Sequence, residues 1–173
     1  MGNYAGKIVF GAADDEDVPT ACPPSPFSDL VIPITLAEGA VAPEFKTAAA
    51  AGMDLCAIED VQLEHGIPTK IETGVSMALP FLLYGQVQGR SSMAAKGINT
   101  FPGVIDSDYR GSIKVLLTNN DPEKKLHAIK AGERIAQLLV LPVARPMLDV
   151  VPKLETTVRG EGGFGSTNAP DRV

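Results

Sequence analysis

Tryptophan is absent from this 173-residue chain, and aromatic residues of every kind make up 5%. A core built from it must be aliphatic. Cysteine and histidine are nearly as scarce, limited to Cys22, Cys56, His65 and His127. No C-x-x-C or H-x-E ligand set can be assembled from these four, which excludes a zinc-dependent deaminase on ligand count. Two cysteines make no disulfide framework. Both read as reduced thiols of an intracellular protein, cytoplasmic or nuclear and not secreted. Long apolar runs are also missing: no 18-residue apolar stretch and no charged-then-apolar leader are found, so no membrane association is expected. Positive charge is not in excess. The net charge is −6, which predicts no general affinity for nucleic acid or acidic membranes.

Glycine and proline, by contrast, are plentiful. There are 17 glycines and 14 prolines, well above the roughly 12% combined share of average proteins. Such a chain turns often, which favours short strands over long helices. The length suggests one domain. Residues 1–29 read as an acidic, proline-containing extension, with "DDED" at 14–17 and "PPSP" at 23–26. The acid run has the wrong sign for an organelle transit peptide, and "KIVF" at 7–10 could add a strand. From residue 30 the pattern is β. "LVIPI" is a short apolar run. "TKIETGVSMAL" at 69–79 sets Ile71, Thr73, Val75, Met77 and Leu79 on one face, the period-2 signature of a half-buried strand. "SIKVLLTN" at 112–119 does the same with Ile113, Val115 and Leu117, and "RIAQLLVLPV" at 134–143 suits a core strand. Turn signals separate the runs: "HGIP", "FPG", "DSDYRG", "NNDPEKK" and "KAGE". The spacing predicts an all-β sandwich or jelly roll.

One segment departs from this pattern. "RSSMAAKG" at 90–97 predicts a helix of one to two turns, with serine at the N-cap and glycine past the last turn. Its start, beside Arg90, would suit an anion. An ordinary capped helix with an exposed arginine is the plain alternative. "GVIDSDYRGSIKV" at 103–115 carries Asp106 and Asp108 on one face, either as turn formers or, near phosphates, as a base for water. Tyr109 offers a flat ring to a sugar. "AGMDLCA" at 51–57 sets Asp54 in small apolar surroundings, where a carboxylate needs a cation or hydrogen-bond donors. "GERIAQL" at 132–138 inserts Arg134, for which a Glu133 pair is the simple explanation, and Gln137, whose amide wants partners at both ends.

Near the end stands "RGEGGFGSTN", residues 159–168. Gly160-x-Gly162-x-x-Gly165 has the spacing of a dinucleotide fingerprint, but only eight residues follow Gly165, too few for the helix and acidic residue it requires. A phosphate loop fails similarly, because Ser166 stands where lysine is needed. A frayed tail would explain the glycines, but not Arg159 and Phe164.

Five stretches in this order, "AGMDLCA", "GRSSMAAKGI", "GVIDSDYRG", "GERIAQLLVLP" and "RGEGGFGSTN", resemble the five motifs of the trimeric dUTP diphosphatase (dUTPase) family. They span residues 51–168 and leave the extension at 1–29 unexplained. The resemblance implies a jelly-roll core over 30–152 and a C-terminal arm over 153–173 exchanged between subunits. It implies a homotrimer with active sites at its interfaces, dUTP as substrate and Mg²⁺ as cofactor. By position, Asp106 would activate water for attack on the α-phosphorus, and Asp54 would hold the metal through water. Arg90, Ser91, Ser92 and Gln137 would bind phosphates. Gly103, Val104, Ile105 and the strand near Lys114 would form a hairpin whose backbone reads uracil, with Tyr109 beneath the deoxyribose. In the lid, Arg159 would meet the outer phosphates, Phe164 would stack on the base, Gly165 would let the backbone wrap the triphosphate, and Ser166 and Thr167 would donate to phosphate oxygens. Met53, Cys56, Gly89, Thr100 and Asn168 depart from the family's commonest residues, as does "SSM" at 91–93. A dCTP deaminase-like enzyme of the same fold, or a trimeric regulatory module, is the alternative.

Overall fold

Glycine and threonine decide where the 69–79 alternation changes sheets. A computed structural model of the chain describes residues 29–162. In it the alternation is two strands, Thr69–Glu72 and Val75–Met77, separated by Thr73 and Gly74. All five predicted inward residues are buried. The strands pair with different partners, however, because Gly74 adopts φ 69° and turns the chain. Thr73 is polar yet buried: its hydroxyl donates to the Ile113 carbonyl at 2.7 Å and accepts from the Val75 amide at 3.3 Å. A Cβ at Gly74 would stand 2.5 Å from Ile58 Cδ1 and 2.7 Å from Ala40 Cβ. Gly74→Ala should therefore lower stability by about 2–4 kcal/mol, combining overpacking with left-handed strain. A urea midpoint equal to wild type at the same protein concentration would contradict this.

In chain order the elements are β1 (Ile34–Leu36), β2 (Met53–Cys56), β3 (Val61–Glu64), β4 (Thr69–Glu72), β5 (Val75–Met77), β6 (Leu83–Gln88), α1 (Ser91–Ala94), β7 (Ile98–Thr100), β8 (Gly103–Ile105), β9 (Lys114–Asn119), β10 (Leu126–Ile129) and β11 (Arg134–Pro142). A four-stranded sheet runs β2-β11-β6-β8 and a three-stranded sheet β4-β9-β7. Two ribbons, β1-β5 and β10-β3, complete an all-β jelly-roll arrangement in which every strand pair is antiparallel. β11, the expected core strand, is an inner strand between β2 and β6. The five turn signals fall at or between strand ends.

The buried cluster is aliphatic, as the lack of tryptophan requires. Leu55, Val87, Ile135 and Leu138 come from the larger sheet, Ile71, Ile98, Val115 and Leu117 from the smaller, and Met93 from α1. Two expectations shift. Of "LVIPI" only Ile34 lies in a strand, and it and Leu36 are exposed. The helix is a single turn whose N-cap is Arg90, so the serines are its first two residues and neither side chain caps it. Gly97, at φ 75°, follows the last turn as expected. Beyond β11, residues 143–162 carry no strand or helix, and Met147, Leu148, Val150 and Val158 are 90% or more exposed. Among the described residues no helix is long and apolar enough to cross a membrane. The extension to residue 28 lies outside the described residues.

Candidate active site

Strand register assembles the first half of the site. β11 pairs with β2 so that Gln137 lies opposite Asp54, and with β6 so that Gln137 also lies opposite Gln88. The segment after β6 carries Gly89, Arg90 and the serines of α1. A bulge between Arg134 and Ala136 shifts the ladder and sets Arg134 opposite Cys56, two residues from Asp54. The Asp54 carboxylate then meets two guanidinium groups: Arg90 Nε at 3.0 Å on one oxygen and Arg134 Nη1 at 3.2 Å on the other. Arg90 Nη1 also donates to the Arg134 carbonyl at 2.9 Å. The Asp54 side chain is 13% exposed, so this pairing meets the need for a cation that its surroundings imposed.

The anticipated Glu133–Arg134 pair is not what the structure holds. Glu133 precedes β11 and closes the turn that leads into it, its amide donating to the Lys130 carbonyl at 2.9 Å. Glu133 instead accepts from the Lys130 amide at 3.1 Å and faces Lys96 at 3.7 Å. Gln137 Nε2 donates to the Gly89 carbonyl at 3.0 Å and so fastens the segment before Arg90. Gly52 lets the Asp54 strand approach β11, since a Cβ there would lie 3.1 Å from Gln137 Oε1. A Cβ at Gly89 would lie 3.2 Å from the buried, unpartnered hydroxyl of Thr100. Two of the sequence's departures from the family pattern are therefore neighbours in space.

These groups line a cleft of about 340 Å³ whose wall includes Asp54, Arg90, Ser91, Ser92, Arg134 and Gln137. Five of the six were sequence candidates. Arg134 was assigned another partner, and Lys46, also in the wall, was missed because a lone lysine in a loop carries no motif. Burial, chiefly, pushes the Cys56 thiol above its usual range, with the Asp54 charge adding to the effect. Asp54→Ala would leave two arginines facing each other. It should destabilise the fold by about 1–3 kcal/mol, reduced from the fully buried case because both arginines are partly exposed. Unchanged chemical stability would show that the pairing is incidental.

The second half lies elsewhere. β8 is the outer strand of its sheet, so one edge of Gly103–Ile105 has no ladder partner among the described residues, and Val104 is 65% exposed. β8 and β9 do not form the expected hairpin. They belong to different sheets, tied by the Phe101 amide donating to the Leu116 carbonyl at 2.9 Å. Lys114 opens β9 and pairs with Glu72 at 2.9 Å, which holds the lysine above its usual range. Asp106 follows β8, exposed, in a turn closed by the Tyr109 amide donating to its carbonyl at 3.1 Å. The Tyr109 hydroxyl donates to the Ser112 carbonyl at 3.0 Å, and the side chain lies so close over Gly111 that a Cβ there would be 2.4 Å from the hydroxyl oxygen and 2.6 Å from ring Cζ. Arg159 hydrogen-bonds within its own arm, to the Gly162 carbonyl at 2.9 Å. Phe164, Gly165, Ser166 and Thr167 lie outside the described residues.

Among the described residues no three His, Cys, Asp or Glu side chains group as a metal cage. A hydrated Mg²⁺ that leans on phosphate oxygens needs none. Asp54 fits such an outer role: a carboxylate has about four acceptor positions, and the arginines occupy two.

Comparisons with known proteins place the chain in a family. A family model described as dUTPase matches residues 38–168. The deoxyuridine 5'-triphosphate nucleotidohydrolase of Cutibacterium acnes is 45% identical over 143 residues, 81% of this chain and 93% of its own. That of Paramecium bursaria Chlorella virus 1 is 43% identical over 133 residues, 76% of this chain and 93% of its own. Among solved structures, the Staphylococcus bacteriophage 80alpha dUTPase with dUPNHPP superposes with a TM-score of 0.74 at 28% identity, covering 79% of this chain and 98% of that one. Since the family match runs through all five motif-like stretches and most of the folded core, the chain belongs to the dUTPase family.

Proposed function

We propose that the chain hydrolyses dUTP to dUMP and diphosphate at sites shared between copies in a homotrimer. The observation that carries this reading is the cleft lined together by Asp54, Arg90, Ser91, Ser92 and Gln137. A cation-rich wall with hydroxyl and amide donors suits a polyphosphate, and on an acidic protein the positive charge must be concentrated locally. The nucleotidohydrolase relatives and the analogue-bound phage structure support uracil nucleotide as the substrate.

In this mechanism Asp106 takes a proton from water as its oxygen attacks the α-phosphorus. One P–O bond forms, the bond to the bridging oxygen breaks, and diphosphate leaves. Arg90 and the serines hold the phosphates, and Gln137 keeps Arg90's segment in place. The Tyr109 ring, fixed by its bond to Ser112 and its contact with Gly111, lies beneath deoxyribose and would clash with a ribose 2′-hydroxyl. The unpaired backbone edge of Gly103–Ile105 offers donors and acceptors to uracil, near the strand that Lys114 opens. Mg²⁺, with Asp54 holding it through water, would neutralise charge on the phosphates. The lid residues Arg159, Phe164, Gly165, Ser166 and Thr167 would close over the nucleotide and exclude water.

Distance along the sheet supports sharing between copies. β8 pairs with β6 so that Ile105 lies opposite Gly85. Asp106 therefore leaves near Tyr84, while Arg90 lies about six residues along β6 the other way, roughly 20 Å at strand rise. One copy is poorly placed to hold the phosphates and activate the water by itself. The test is product analysis with dUTP, dCTP and dTTP, expected to give diphosphate from dUTP alone. Equal turnover of all three would end the uracil-reading account.

A further inference from the structure

Lys46 stands in the wall of the same cleft, and neither the motif stretches nor the chemistry above uses it. Its place is fixed by backbone. Glu44 forms an isolated antiparallel bridge with Asp54, whose amide donates to the Glu44 carbonyl at 3.0 Å. Four residues past Lys46, the Ala50 amide donates to the Thr47 carbonyl at 3.1 Å and closes a turn. The lysine is thus carried on a short loop tied down on either side, beside the wall that holds Arg90 and Arg134.

The cations of this wall differ in how firmly they are engaged. Arg90 and Arg134 share a mostly buried carboxylate and are linked to each other through a carbonyl. Lys46 pairs with Glu44, two residues away, and both side chains are about half exposed, at 48% and 55%. An exposed pair of this kind is weak and exchanges readily for a more highly charged anion. With Asp54 taken up by the two arginines, Lys46 is the wall's most available positive charge, and Glu44 acts as its counter-ion until a polyanion arrives.

We propose that Lys46 is a substrate-binding residue that leaves Glu44 to take a non-bridging oxygen of the polyphosphate. The proposal rests on the phosphate cleft of the preceding section and adds to it a cation outside the motif stretches. Two measurements test it: steady-state kinetics with dUTP, and isothermal titration with inorganic triphosphate. Lys46→Gln should raise KM and weaken triphosphate binding about 3–10-fold, with kcat within about twofold, as for one charge-assisted hydrogen bond in a partly exposed site. Lys46→Arg should restore both. Glu44→Gln should shift them the opposite way, about twofold tighter, because it removes the competing anion. Unchanged KM and unchanged triphosphate affinity in Lys46→Gln would overturn the assignment, as would a loss that arginine does not rescue. Should the wild-type protein not turn over dUTP, the proposed function fails on its own, and the titration still decides Lys46: weaker binding in Lys46→Gln supports it, equal binding overturns it.

Discussion

Asp106→Asn should lower kcat for dUTP by about 10²–10⁴-fold, the range for a positioned general base and equivalent to roughly 3–5.5 kcal/mol of barrier. Nothing in the fold should change with it. The turn at Asp106 uses the backbone carbonyl, which accepts from the Tyr109 amide, and asparagine supplies the same carbonyl. The residue is exposed, and among the described residues its carboxylate has no hydrogen-bond or ion-pair partner. A substitution at such a position leaves stability within about 0.5 kcal/mol. That lack of structural employment makes the carboxylate available to accept a proton from water. It also makes the test clean, because a loss of activity cannot be passed off as a loss of fold. Asp108→Asn is the control, with the same chemistry two residues along the same turn. If Asp106→Asn retains activity within tenfold of wild type, or if Asp108→Asn costs as much, Asp106 is not the base.

Much of the core was legible in the sequence because burial has a period. Ile71, Thr73, Val75, Met77 and Leu79 face inward just as alternation required. The break at Gly74 was not legible, because a chain can pass from one sheet to another without losing its inward face. Alternation reports which side of a strand is buried, never which strand lies beside it. The same limit hid the β8–β9 arrangement, where two runs joined by a turn looked like a hairpin but belong to separate sheets. Apolar content was a poor guide to strand extent at "LVIPI", where only Ile34 enters a strand.

The site divides in a similar way. Motif resemblance gave Asp54, Arg90, Ser91, Ser92 and Gln137 their roles, while physical argument alone had marked the helix start beside Arg90 as suited to an anion, Gln137 as an amide wanting partners, and Asp54 as needing a cation or hydrogen-bond donors. The identity of that cation depended on a register linking residues 80 positions apart. The Glu133–Arg134 pairing fails for a local reason: Glu133 closes the turn at Lys130, while Arg134 opens β11 and reaches Asp54. Ser91 was the natural choice for a cap by hydroxyl chemistry, but the helix begins one residue earlier than that choice assumed. Both serine side chains are left uncommitted to the helix as a result, and both are exposed.

Ending the chain at Val158 should abolish turnover, by about 10³-fold or more, while the core stays folded. Mutagenesis of single charge-stabilising groups already costs about 10²–10³, and this cut removes Arg159 together with Phe164, Ser166 and Thr167. The buried cluster contains no residue of the arm. Arg159 bonds within the arm, so no described core contact is lost. Unfolding midpoint and oligomer mass should match the full chain. Dissociation of the oligomer would mean that the arm holds copies together and is not chiefly a lid. A mixing experiment then separates a shared site from a self-contained one. The truncated chain keeps Asp106 but lacks the lid, and the Asp106→Asn chain keeps the lid but lacks the base. If each lid closes over another copy's Asp106, unfolding the two inactive chains together and refolding them as a mixture should restore turnover in about a quarter of the sites, since random assembly draws base and lid independently. A mixture as inert as its parts would mean that each copy's lid closes over its own Asp106.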